Sequence, residues 1–181
     1  MVSAGTWTTY GTWLPGDERG FVSPKFEEGL PEERHNTPET PYDAGRTDLL
    51  RVAAGKLAGN PIWLTGEQAG VVRQQFEQTA TYRGWRIIAG AIMSNHVHLV
   101  VTADKGPKIV RDQFKANATR VLREQPNPIM QENVWTRGGD CDLVDGEDEL
   151  ERVILQQQQE LSAVCTQLAD LKSGSAQSEK G

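Results

Sequence analysis

Residues 85–102 read WRIIAGAIMSNHVHLVVT, and this stretch decides the fold. Trp85 to Met93 is apolar and rich in β-formers, and His96 to Thr102 alternates. Ser94-Asn95 lies between them, so the pattern predicts two strands joined by a tight connection. In the second strand His96, His98 and Val100 share one face, while Val97, Leu99 and Val101 share the other. Working outward, residues 65–83 read as a helix. Thr65 and Gln68 have the spacing of a capping box, Val71, Val72, Phe76 and Thr79 form an apolar stripe, and Gly84 ends it. On the other side Gly106-Pro107 opens a helix that runs to about Glu124 and stops before Pro126 and Pro128. Thr6 to Leu14 (TWTTYGTWL) suits a strand, and Asn133 to Val144 is short and β-like with a bend at Gly138-Gly139. Strand, helix, strand, strand, helix and strand predict an α+β protein. The βαββαβ order is that of a ferredoxin-like antiparallel sheet with helices on one face.

The chain has 181 residues, enough for one domain with one core. Its longest apolar run, Ile87 to Met93, is far short of the roughly 20 residues a membrane span needs. Met1 to Tyr10 lacks the basic segment and apolar stretch of a signal peptide. Cys141 and Cys165 make neither a disulfide framework nor a metal motif, so a reducing cytoplasm is the expected setting. The net charge of −6 argues against a chain coated in basic charge but leaves room for a local basic face.

Residues 15–47 carry five prolines and many charges, and read as a long loop or insertion within a domain spanning 1–146. The solitary His35 there, among Glu32, Glu33 and Arg34, reads as solvated. Residues 147–172 read as a final helix. Leu150, Ile154, Gln157, Leu161, Val164, Leu168 and Leu171 are spaced by alternate fours and threes, the seam of a coiled coil. That helix either packs on its own domain or pairs with a second copy as a homodimer. Residues 173–181 read as a disordered polar tail.

Three features carry chemistry. His96 and His98, at i and i+2 on a strand, project their imidazoles to one side, close enough to share a divalent metal. The alternative is a polar sheet face, but polar rings on a central strand need partners. Lys108, Arg111, Lys115, Arg120 and Arg123 cover about half of their helix, opposite Val110, Phe114, Ala118 and Val121. They form either a solvated helix face or a surface for a phosphate backbone. Trp7, Tyr10 and Trp13 either stack on unpaired bases or belong to the core. The acidic run from Asp140 to Glu151 reads as solvated surface and the start of the last helix.

Met93-Ser94-Asn95-His96-Val97-His98-Leu99-Val100-Val101 resembles the HUH motif of single-tyrosine, insertion-sequence-200-like transposases. Thr9 to Gly20 (TYGTWLPGDERG) resembles the opening of the REP-associated tyrosine transposase subgroup, and Val134 to Gly139 (VWTRGG) is similar to a later segment of it. The resemblance covers about residues 5–155. It implies a ferredoxin-like fold that binds single-stranded or hairpin DNA, with Mg²⁺ or Mn²⁺ held by His96 and His98. It also implies a tyrosine on the late helix that attacks phosphorus and forms a 5′-phosphotyrosine link.

The sequence departs from that pattern in one place. The nucleophile is expected near Gln156, yet no tyrosine follows Tyr82. A carboxamide cannot replace it. No residue is therefore assigned as catalytic; Gln157 to Glu160 could supply a third metal ligand from the helix, with no one residue singled out. A divergent or frameshifted C-terminus would explain the departure. Three functions stay open: an active strand transferase with another nucleophile, an inactive binder of hairpin DNA, and a homodimeric interaction protein.

Overall fold

The computed structural model describes residues 1–19, 24–25, 33–34, 44–146, 148–155 and 158–159. The coiled-coil seam beyond Ile154, the polar tail and His35 lie outside the described residues. Strands are β1 (Val2–Thr8), β2 (Pro24–Lys25), β3 (Glu33–Arg34), β4 (Arg86–Ile92), β5 (His96–Thr102) and β6 (Asp140–Leu143). Helices are α1 (Thr47–Gly55), α2 (Gly66–Arg83) and α3 (Pro107–Arg123). Residues 148–155 are also helical. No described helix is long and apolar enough to cross a membrane.

The main sheet runs β4-β5-β1-β6. β4 and β5 are antiparallel, with Arg86 opposite Thr102 and Ile92 opposite Val97, and the register shifts between Ile87 and Ala89. β1 and β6 are antiparallel, with Thr6 opposite Asp140 and Ser3 opposite Leu143. Met1 and Ala103 exchange backbone hydrogen bonds in both directions, which sets β1 antiparallel to β5. Set beside α2 and α3, this is the predicted βαββαβ order.

Contacts divide the chain into two compact units. One comprises Met1–Trp7, Leu64–Met130 and Arg137–Gly181; the other comprises Thr8–Trp63 and Gln131–Thr136. In the first, α2 begins at a complete capping box. Thr65 Oγ1 accepts from the Gln68 backbone N–H at 3.2 Å, and the Gln68 side chain accepts from Thr65 N–H at 3.0 Å. It ends at Gly84, which adopts φ +68°. Trp7, Phe76, Phe114 and Trp85 form a chain of tilted ring contacts with centroids 4.8 to 6.0 Å apart. Val72, Val97, Leu99, Val101, Val110, Ala118 and Leu122 are buried with them. Trp7, Leu99 and Val101 line a small space with Val110 and Phe114. So α2 and α3 cover the sheet face of Trp7, Val97, Leu99 and Val101, as expected from sequence.

Two expectations need correction here. The first strand is Val2–Thr8, not Thr6–Leu14. Beyond Thr8 the chain makes one bridge, Thr9 to Trp135, and then turns. Gly11 takes φ +73°, and Thr12 Oγ1 donates to Thr9 O at 3.0 Å, closing the turn. The second correction concerns Lys115, which is buried on α3 and not part of its solvated face. Leu122, not Val121, completes the buried stripe.

In the second unit Thr9 Oγ1 donates to Ile62 O at 2.6 Å, and Tyr10 O accepts from Ile62 N–H at 2.9 Å. Arg19 pairs with Asp17 at 2.6 Å, which holds that carboxyl below its ordinary range, and lies over the Trp13 ring at 5.3 Å. α1 belongs to this unit, buries no residue, and has no counterpart among the elements expected from sequence.

Candidate metal and nucleic-acid site

The alternation of β5 sends His96 and His98 to the sheet face opposite α2 and α3. Both rings are half-buried. Their centroids are 4.8 Å apart, and the planes are nearly perpendicular at 84°. Each ring is gripped at Nδ1. His98 Nδ1 lies 2.8 Å from Thr6 Oγ1 on β1, and His96 Nδ1 lies 2.7 Å from Asn95 Oδ1. Among the described residues no group of three His, Cys, Asp or Glu side chains could hold a metal ion. Two neutral imidazoles on one face are a suitable donor pair for a divalent metal, so they fit part of such a site. Of Gln157 to Glu160, only 158–159 are described, as helix.

The basic residues of α3 do not join the histidines, because α3 covers the other face. Nor do the five act alike. Lys108, Arg120 and Arg123 are exposed. Arg120 reaches Glu124 at 3.1 Å and Gln75 Oε1 at 3.2 Å. Arg111 is turned inward, its side chain 10% exposed, and donates to Asp112 at 2.8 Å and to Gly139 O at 3.0 Å. Lys115 Nζ donates to Gly138 O and lies 6.0 Å over the Trp7 ring. Burial, with Arg111 nearby, lowers the Lys115 amine from 10.5 to about 8. Burial also pushes the Cys141 thiol up.

The two clamped carbonyls belong to the predicted bend. Gly138 has φ +85° and Gly139 φ +127°. A Cβ on Gly139 would come within 2.7 Å of Trp7 Cβ and 2.8 Å of Thr6 O. Only glycine lets the chain pass so close to β1 before entering β6. Arg111 and Lys115 thus secure the sheet edge.

The aromatic set also separates. Trp7 is 2% exposed and is core. Trp13 is half-buried beneath Arg19. Tyr10 accepts a hydrogen bond from Ala58 N–H at 2.9 Å. Tyr82 is 86% exposed at the end of α2, on the helix side of the sheet and away from the histidines. Tyr42 lies outside the described residues. Thr6 and Asn95 were not singled out in the sequence as site residues. Asn95 adjoins the histidine pair and could have been suspected. Thr6 stands 92 positions from His98 and carried no local signal.

The chain is thus an α+β protein whose sheet is covered by helices on one face and bears paired imidazoles on the other. Residues 61–155, just over half of its length, match the family model "Transposase IS200 like", and the chain belongs to that family. Among solved structures it is similar to a REP-associated tyrosine transposase bound to a REP hairpin, with a TM-score of 0.46 and 10% identity. That match covers 84% of this chain and 61% of the other, so the chain spans about three fifths of that relative's length. It is also similar to a protein of Deinococcus radiodurans R1 assigned as a transposase, with a TM-score of 0.43, 15% identity and 88% of each chain covered. No curated protein sequence matches it.

Proposed function

We propose that this chain binds single-stranded DNA that folds into hairpins, and holds Mg²⁺ or Mn²⁺ at His96 and His98. The observation that carries the reading is the pair of imidazoles on the central strand β5, each with Nδ1 held by a neighbouring side chain. An imidazole gripped at Nδ1 presents Nε2 as its metal-binding nitrogen. A divalent ion there supplies Lewis-acid polarisation of a phosphate oxygen. The exposed cations of α3, Lys108, Arg120 and Arg123, supply sequence-independent attraction for the DNA backbone. They sit on the other side of the sheet, so backbone attraction and metal binding use separate surfaces.

Strand cleavage by a tyrosine is the finer step of the family reading, and here it lacks its residue. Tyr82 stands at the end of α2, on the helix side of the sheet, and no tyrosine follows it. We therefore favour binding without turnover. Pairing with a second copy is supported by the four-three spacing of the last helix alone, and sedimentation of the full chain checks it.

The experiment is to mix the full chain with end-labelled hairpin DNA and Mn²⁺, then run native and denaturing gels beside the His96→Ala/His98→Ala protein. A retarded native band with no cut or covalently linked strand is the expected result. A metal-dependent covalent band, lost in the double variant, would replace binding without turnover by active transfer through another nucleophile. No retardation with any hairpin would refute DNA binding.

A further inference from the structure

We propose that Thr6 is a positioning residue for the His98 imidazole: its hydroxyl accepts the Nδ1 proton, fixes that tautomer, and leaves the Nε2 lone pair for a metal. The inference rests on the metal reading of His96 and His98. It adds a residue from a distant strand that no feature of the histidine motif contains.

Thr6 and His98 sit side by side on the two central strands, 2.8 Å apart from Oγ1 to Nδ1. The hydroxyl can either donate or accept, so the contact alone does not choose the tautomer. The metal reading does: a ring that ligates through Nε2 carries its proton on Nδ1, so the Thr6 oxygen is the acceptor. His96 is treated alike from another direction, because Asn95 Oδ1 accepts from its Nδ1 at 2.7 Å. Two side chains from different elements thus impose one tautomer on both rings. A neutral imidazole protonated on Nδ1 can ligate only through Nε2.

Among the described residues the Thr6 hydroxyl makes one hydrogen bond, to His98. It points away from the core occupied by its neighbour Trp7, which is 2% exposed. Valine has the same shape and a strand preference at least as strong, so the hydroxyl itself can be tested.

The test uses Thr6→Val and Thr6→Ser in the full chain. Imidazole ¹⁵N shifts are recorded without metal, well above the usual histidine pKa of about 6.5. His98 is expected to be protonated on Nδ1 in the unaltered chain and in Thr6→Ser, and to shift towards Nε2–H in Thr6→Val. Mn²⁺ affinity, measured from the free-ion EPR signal, is expected to fall about 10- to 100-fold in Thr6→Val and to be largely kept in Thr6→Ser. An unchanged tautomer or unchanged Mn²⁺ affinity in a folded Thr6→Val protein would overturn the assignment. If the unaltered chain binds no Mn²⁺, or His98→Ala binds it equally well, the metal reading falls instead. The two failures are thereby distinguishable.

Discussion

Replacing Lys115 by Met should make the stability difference from the unaltered chain depend on pH. The Lys115 amine titrates near 8 in the fold against 10.5 when free, chiefly because burial penalises the cation. Between those two values the unfolded chain holds a proton that the folded chain has released. Stability therefore rises with pH across that window. Each tenfold difference in proton affinity is worth about 1.4 kcal/mol, which bounds the gain at about 3 kcal/mol. The hydrogen bond to Gly138 O and the Trp7 ring both favour the cation and pull the figure down, so about 2 kcal/mol is expected. Methionine keeps the aliphatic stem and cannot titrate. Its loss of the Gly138 contact costs about 1 kcal/mol, and that cost hardly varies with pH. Urea unfolding of both proteins at about pH 7 and about pH 10.5 isolates the effect. The unaltered chain should gain about 2 kcal/mol on the Met variant between the two conditions. A gap that stays constant would show that Lys115 is no buried cation.

Gly139→Ala should destabilise by about 2–5 kcal/mol, from a glycine-only backbone angle and a collision with β1; a small shift in the urea midpoint would contradict the close approach. Thr65→Ala should cost about 1 kcal/mol by opening the capping box of α2, read from the same midpoint. Lys108→Ala with Arg123→Ala should weaken hairpin binding and flatten the logarithmic salt dependence by about 0.7 per lost contact. An unchanged slope would move the DNA surface off α3.

The legible parts of this fold were those with local causes. Alternation in β5, the Thr65–Gln68 capping box and the proline at the start of α3 each act over a few residues, and each was found where expected. The extent of β1 was not legible. Val2-Ser3-Ala4-Gly5 has weak strand preference, and it becomes a strand because β5 and β6 pair with it from both sides. Lys115 was misread for a similar reason. Its helix position follows from sequence, but its burial follows from the Gly138–Gly139 carbonyls that arrive from a distant bend. At the candidate site the imidazoles were legible from their spacing, whereas the Thr6 contact needed the strand order.

The central place of β1 also orders the events of folding. β4 and β5 are joined by three residues, so their hairpin can close early and at little entropic cost. β1 must instead close loops of about a hundred residues or more before its pairs with β5 and β6 form. Weakening β1 should therefore mainly speed unfolding and leave the refolding rate nearly unchanged. The histidines ride on the early hairpin, while Thr6 joins them only when the long-range pairing of β1 with β5 forms.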